Sequence, residues 1–199
     1  MENSDKNKKR IGLLALQGAY FAHERVLKSL DVRTSLIRYP RELDDITALV
    51  VPGGESTTML KLLEPDCFGE LLIERVRGGM AYFGTCAGAI LAAREVTGPA
   101  QASLGLIDIT VERNAYGRQV DSFCADFPIP SLGLRNFHGI FIRSPIITRI
   151  GPGVETLAEH KGRPVLVRLG NILLATFHPE LSGSDAVHRF FIQMISGPG

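Results

Sequence analysis

Three apolar runs in the first half of this chain each end in glycine and pass directly into a helical pattern. IGLLALQ (11–17) meets Gly18, ITALVV (46–51) meets Pro52-Gly53-Gly54, and MAYF (80–83) meets Gly84. Runs this short, apolar on both sides of the pleat, read as buried strands. The segments after them have helical spacing: Ala22, Val26, Leu27 and Leu30 after the first run, Ser56 to Leu63 after the second, Ala87 to Arg94 after the third. VRTSLI (32–37) adds a strand and Phe68 to Arg77 a helix. Such alternation predicts a mostly parallel sheet with helices on both faces.

The second half reads mainly as strands with short Gly or Pro turns. They are LIDITVER (106–113), GRQVDSFCADF (117–127), NFHGIFIR (136–143), VETLAEH (154–160), PVLVRLG (164–170) and NILLATFH (171–178). Ser184 to Ile195 closes the chain as a helix. The expected fold is therefore α/β: a single domain over 11–199 with a mostly parallel central sheet and a small antiparallel extension. A chain of 199 residues suits one hydrophobic core. The polar lead, residues 1–10 (MENSDKNKKR), is expected to be a disordered tail.

Charge excludes several partners. Lys and Arg total 22 against 21 Asp and Glu, a net of +1, which gives no electrostatic footprint for nucleic acid or an anionic membrane surface. The apolar run after the tail is far short of the about 20 residues of a membrane span. Cys67, Cys86 and Cys124 show neither disulfide spacing nor a C-x-x-C pair, so no metal is expected and a reducing, cytoplasmic setting is.

Gly84-Thr85-Cys86-Ala87-Gly88, between strand and helix, has the form of a nucleophile elbow with sulfur in place of the serine oxygen. Glycines on either side leave room for the tight turn, and the helix N-terminus favours thiolate over thiol. The plain alternative is a small buried cysteine in a glycine-rich turn. At the end of the last strand stands Phe177-His178-Pro179-Glu180. Residues two apart in an extended segment point the same way, so His178 and Glu180 are candidates for a base and the acid that orients it. His23, His138, His160 and His188 are taken as structural. Pro52-Gly53-Gly54-Glu55-Ser56 is either a turn capped by Ser56 or a source of N–H donors for an oxyanion, with Gly54 giving one donor and Ala87 another. Loops after strands 46–51, 80–83 and 171–178 converge if those strands are parallel neighbours.

These residues resemble the triad-type (class I) glutamine amidotransferases. ALQG (15–18), PGGESTTM (52–59), FGTCAG (83–88), VERNAYGRQVDSF (111–123), FIRSP (141–145) and FHPEL (177–181) bring the likeness closer, to the glutaminase subunits of pyridoxal 5′-phosphate synthase. It runs in order from Ile11 to about Ile195. Ser144 and Tyr116 depart from the family's common Ala and Phe, both conservatively. The resemblance implies a flavodoxin-like sheet and hydrolysis of L-glutamine to glutamate and ammonia, with no cofactor. Cys86 attacks the carboxamide in that scheme, and His178 and Glu180 complete the triad. Glutamine-contacting positions fall on Gly54, Glu55, Ser56, Arg113, Ile142 and Arg143. Guanidinium groups at Arg113 and Arg143 suit the substrate's α-carboxylate, which they can grip in a fork. Gln17 and Gly18 match a segment near the oxyanion hole that responds to the partner, a (β/α)8-barrel synthase subunit that takes up the ammonia. A rival reading is a different cysteine hydrolase on the same elbow, peptidase-like or DJ-1-like; another is a docking module without catalysis.

Overall fold

The first apolar run becomes β1 (Arg10–Leu14), and Gly18, at φ +91°, turns the backbone into α1 (Tyr20–Ser29). The computed structural model describes residues 10–113 and 122–196. Of the expected tail only Arg10 lies among them, as the first residue of β1. Next come β2 (Arg33–Ile37), β3 (Ala48–Val51), α2 (Ser56–Leu62), α3 (Phe68–Arg77), β4 (Ala81–Thr85) and α4 (Ala87–Ala92), in the expected order.

The central sheet has seven strands in the order β10 (Glu155–His160), β11 (Arg163–Leu169), β12 (Ile172–Ala175), β4, β3, β1, β2. β2, β1, β3, β4 and β12 run parallel. β11 and β10 extend the sheet antiparallel at one edge. The mostly parallel sheet and its antiparallel extension thus match the expectation. Alternation along β3 shows why both faces need cover. Leu49 and Val51 join the core under α2, α3 and α4, while Ala48 and Val50 join the core under α1 and α5 (Ala186–Ser196).

A few elements differ from the sequence reading. The Ala-rich stretch 87–94 reads as one helix, yet α4 stops at Ala92. Ala93 turns extended (φ −59°, ψ 150°) and opens β5 (Ala93–Thr97), which pairs with β6 (Ile107–Glu112). Strand pairing overrides helix propensity there. β9 (Ile146–Ile150), a segment given no strand by its pattern, pairs antiparallel with β6. Only Ile146 and Ile147 are buried in it, too few for a visible period. β7 (Ser122–Ile129) and β8 (Leu134–Ile142) form a two-stranded ribbon. Residues 117–121 of the expected strand 117–127, and 114–121 of the motif 111–123, lie outside the described residues.

The ribbon is held by rings. Phe127, Phe137 and Phe141 all pack on Phe177, with centroids 5.4, 5.5 and 5.7 Å away. Phe177 directly precedes His178, whose backbone N–H donates to Ile140 O of β8 at 2.8 Å. The last strand ends at Ala175, short of 178, because Pro179 opens a single turn of 3-10 helix, Pro179–Leu181.

Close packing at the sheet's carboxyl edge leaves no room beside β3. A methyl group on Gly88 would lie 2.1 Å from Val51 O, a backbone atom that cannot step aside. Gly88→Ala is expected to cost about 1–3 kcal/mol of stability. Urea unfolding of the variant beside the unaltered chain measures it.

Candidate active site

Parallel register brings three loops to one edge. Val51 lies opposite Gly84, and Ala175 opposite Thr85, so the turns after β3, β4 and β12 emerge side by side. Cys86 sits on the middle one with φ 49° and ψ −104°, a conformation rare for a residue with a side chain. Neighbours hold the strain. Cys86 N–H donates to Ala175 O at 2.9 Å, and Tyr82 Oη donates to Gly88 O at 2.8 Å. The bend is so tight that a methyl on Gly84 would come within 2.6 Å of Gly88 O. Burial drives the Tyr82 hydroxyl's pKa up, so it stays a donor.

His178 and Cys86 line the resulting pocket together, and His178 Nε2 is buried there with no hydrogen-bond partner. Its Nδ1 lies 2.7 Å from Glu180 Oε1. The contact expected from strand alternation therefore exists, but a turn creates it: both residues flank Pro179 rather than lying in an extended strand. Burial opposes charge on His178, yet the nearby Cys86 sulfur and the hydrogen-bonded Glu180 carboxylate outweigh it and raise its pKa to about 10. Burial likewise works against the Glu180 carboxylate. His23 and His178 overcome this and hold its pKa below the usual value. Glu180 therefore accepts and His178 Nδ1–H donates.

A cavity of about 340 Å³ opens above Cys86. Every glutamine-contacting position implied by the family resemblance lines it: Gly54, Glu55, Ser56, Arg113, Ile142 and Arg143. Gly18 lines it too. Gln17 lies just behind, its Nε2 donating to Glu55 O at 3.0 Å. Ala19 N–H donates to Gly53 O at 3.1 Å. Ala87 is fully buried as the first residue of α4, with Cys86 beside it on the elbow. Ile142 O accepts from the Cys86 thiol at 3.7 Å, so the end of β8 forms a wall of the pocket.

Glu55, rather than Ser56, caps α2. Its carboxylate accepts from Thr57 Oγ1, and from Thr58 N and Oγ1 at 2.8 and 2.9 Å. Ser56 is buried and donates instead to Gln101 Oε1 at 2.9 Å. Arg113 Nη2 stands 3.5 Å from Glu55 Oε1. The Thr57 hydroxyl above all, with the other donors of this first turn, lowers the Glu55 pKa to about 2. Two residues taken as structural in the sequence, His23 and His188, lie fully buried behind Glu180. The available signal was register: His23 precedes the buried Leu27 by one helical turn and so shares its inward face.

Loss of the cap in Glu55→Ala is expected to destabilise the chain by about 0.5–2 kcal/mol near pH 7. Because the folded pKa is depressed, the acid-linked part of this stability is present above about 4.5 and lost as pH falls through about 2. Urea midpoints at pH 7 and pH 3 should differ less for the variant than for the unaltered chain.

Among the described residues, no helix is long and apolar enough to cross a membrane, and no cluster of three or more His, Cys, Asp or Glu is arranged to hold a metal. The sequence matches the model of the SNO glutamine amidotransferase family over residues 13–197. It is 50% identical over 184 residues to pyridoxal 5′-phosphate synthase subunit PdxT of Pelotomaculum thermopropionicum, covering 92% of this chain and 94% of that one. The subunit of the same name from Thermus thermophilus is 48% identical over 186 residues, covering 92% and 96%. A solved glutamine amidotransferase superposes with TM-score 0.88 at 45% identity, covering 94% of this chain and 98% of that chain. A chain of PurLQS from Thermotoga maritima shares the fold, with TM-score 0.66 at 17% identity over 93% and 98%. A cysteine elbow beside a His–Glu pair, on a sequence matched almost end to end, places this chain in the SNO glutamine amidotransferase family.

Proposed function

We propose that this chain is the glutaminase subunit of pyridoxal 5′-phosphate synthase, and that Cys86, His178 and Glu180 carry the reaction. The observation that carries the reading is the His178 ring, held by Glu180 at 2.7 Å, lining the same pocket as Cys86 and with its Nε2 free of any hydrogen bond. A different cysteine hydrolase has no need of the two guanidinium groups, Arg113 and Arg143, on the wall of the same cavity.

Cys86 sulfur, as thiolate, attacks the carboxamide carbon of L-glutamine, and the carbonyl π pair moves to oxygen. N–H groups of Gly54 and Ala87 receive that oxyanion. Ala87 begins α4, where backbone N–H groups lack helical partners. Gly53 O is engaged by Ala19 N–H, and a trans peptide directs Gly54 N–H the opposite way. Protonated His178 gives its proton to the amide nitrogen, the C–N bond breaks, and ammonia leaves a γ-glutamyl thioester. Neutral His178 then takes a proton from water, whose oxygen attacks the thioester. The C–S bond breaks, glutamate departs, and the thiolate–imidazolium pair is restored. Arg113 and Arg143 hold the α-carboxylate.

Ammonia released into water at neutral pH becomes ammonium and loses its nucleophilicity, which argues for delivery within a complex. The partner is the barrel-shaped synthase subunit, and its docking acts through the 17–19 turn. Gln17 grips Glu55 O and Ala19 grips Gly53 O, so any shift of that turn moves the oxyanion loop. The three cysteines are free, as a reducing cytoplasm requires.

Glutamate formation should be slow for the isolated chain and rise when the synthase subunit is added; equal rates would refute the docking effect. Cys86→Ala should abolish turnover with the partner present, and continued hydrolysis would end the thiolate mechanism. Turnover needs the His178 proton, so activity should persist far above the ordinary histidine pKa of about 6.5 and fail toward about pH 10. In Glu180→Gln the alkaline limit should move to lower pH, which a kcat–pH profile reads.

A further inference from the structure

Behind Glu180, His23 of α1, His188 of α5 and Thr85 at the end of β4 are all fully buried, and none lines the substrate pocket. They form a connected set. His23 Nδ1 lies 2.9 Å from His188 Nε2, and His23 Nε2 lies 3.1 Å from Thr85 Oγ1 and 3.3 Å from Glu180 Oε2. That carboxylate oxygen is buried and makes no hydrogen bond, so His23 Nε2 stands beside it at 3.3 Å as an electrostatic contact, while His178 bonds the other oxygen. Phe83 packs edge-on against both imidazoles at 5.9 and 5.6 Å, so the set sits in an apolar setting.

The proton positions come from this geometry. A bare Nε2 on His23 would set its lone pair against a carboxylate oxygen 3.3 Å away in a dry site, which is repulsive. Nε2 therefore carries a proton, donated to Thr85 Oγ1, and the positive end of this N–H lies beside Glu180 Oε2. Burial disfavours the imidazolium of His23 and lowers its pKa, so Nδ1 is bare and accepts from His188 Nε2–H. His188 Nδ1 is then a bare acceptor, which agrees with its having no partner. Burial pushes the His188 pKa down to about 3, so it too is neutral. We propose that His23 is a positioning residue of the Cys86–His178–Glu180 centre, its Nε2–H dipole set against the second oxygen of Glu180, and that His188 fixes the tautomer in which it does so. The proposal rests on the glutaminase reading for its catalytic consequence.

Without that dipole, the buried anionic oxygen of Glu180 loses the positive end set against it, a costly change that protonation relieves. A neutral Glu180 no longer supports the imidazolium of His178. The titratable groups facing Glu180 are His178 from its own turn, His23 from α1 and His188 from α5, with Asp185 just before α5 acting on His188. Arg25 of α1 and Asp185 line a second cavity that Glu180 also reaches.

Two measurements test this. Ring-nitrogen NMR of the unaltered chain should show His23 and His188 neutral at pH 7, each with its proton on Nε2. A proton on His23 Nδ1, or a charged His23, overturns the proposal, and this readout depends on no variant and no activity. In the complex with the synthase subunit, His23→Leu should lower kcat by about 10- to 100-fold, the size typical when an outer partner of a working histidine is lost. KM should stay within about twofold, and the acid limb of the kcat profile should move to higher pH. His23→Gln, which keeps an N–H near the Nε2 position, should recover most of the rate. A folded His23→Leu with unaltered kcat and pH profile overturns the proposal, as does a Gln variant no better than Leu. Failure of the glutaminase reading shows separately, as no glutamate from the unaltered complex, and the NMR result then decides alone. It also decides alone where His23→Leu does not fold.

Discussion

Parallel pairing of β3, β4 and β12 is the constraint from which the site is built. Each strand contributes one loop, and the hydrogen-bonded register fixes where that loop begins. β4 lies between the other two, so the cysteine on its turn has the Gly53-Gly54 loop on one side and the His178 turn on the other. None of these loops needs rigidity of its own. Cys86 N–H is tied to Ala175 O, and His178 N–H to Ile140 O, so neighbouring backbone supplies it. A positive φ at Cys86 survives because the strands that flank it are buried on both faces.

Burial has opposite consequences at the two histidine layers. At His178 the desolvation penalty is overcome by an anion on one side and the sulfur on the other, and the ring favours charge. At His188 the contact is with a neutral ring, His23, and burial keeps His188 neutral as well. One core thus holds a cationic imidazole and neutral ones within a few residues' breadth, with the Glu180 carboxylate between them. The arrangement is electrostatic sorting by contact: what touches each ring decides its charge, because little water is present to do so.

Glu55 shows how a residue in a substrate pocket can spend its side chain on the scaffold. Its carboxylate closes the first turn of α2, while its backbone carbonyl accepts from Gln17 and its outer edge faces Arg113. Loop, helix and pocket wall are therefore one mechanical unit. A small movement at the 17–19 turn reaches the Gly53-Gly54 loop without passing through the core.

The alternation of apolar runs with helical segments was enough to specify a parallel sheet covered on both faces, because burial on two sides demands strands without a polar period. The glycines at 84 and 88 marked the elbow for a steric reason visible in local sequence. Pro179 was equally legible as a break, but the pairing of His178 with Glu180 through a turn, in place of strand alternation, depends on where Phe177 and Ile140 hold the backbone. β5 and β9 exist through pairing with β6, a contact that short-range pattern does not encode. Arg113 and Arg143 became site residues only through likeness to a family, since nothing in their own neighbourhood sets them apart from other cations. His23 and His188 are the clearest case of what tertiary structure decided. Each carries the buried register of its helix, yet only the packing of α1 and α5 against β4 sets them beside one another and beside the Glu180 carboxylate. Local sequence fixes which way a side chain points, but the identity of its neighbour belongs to the three-dimensional packing.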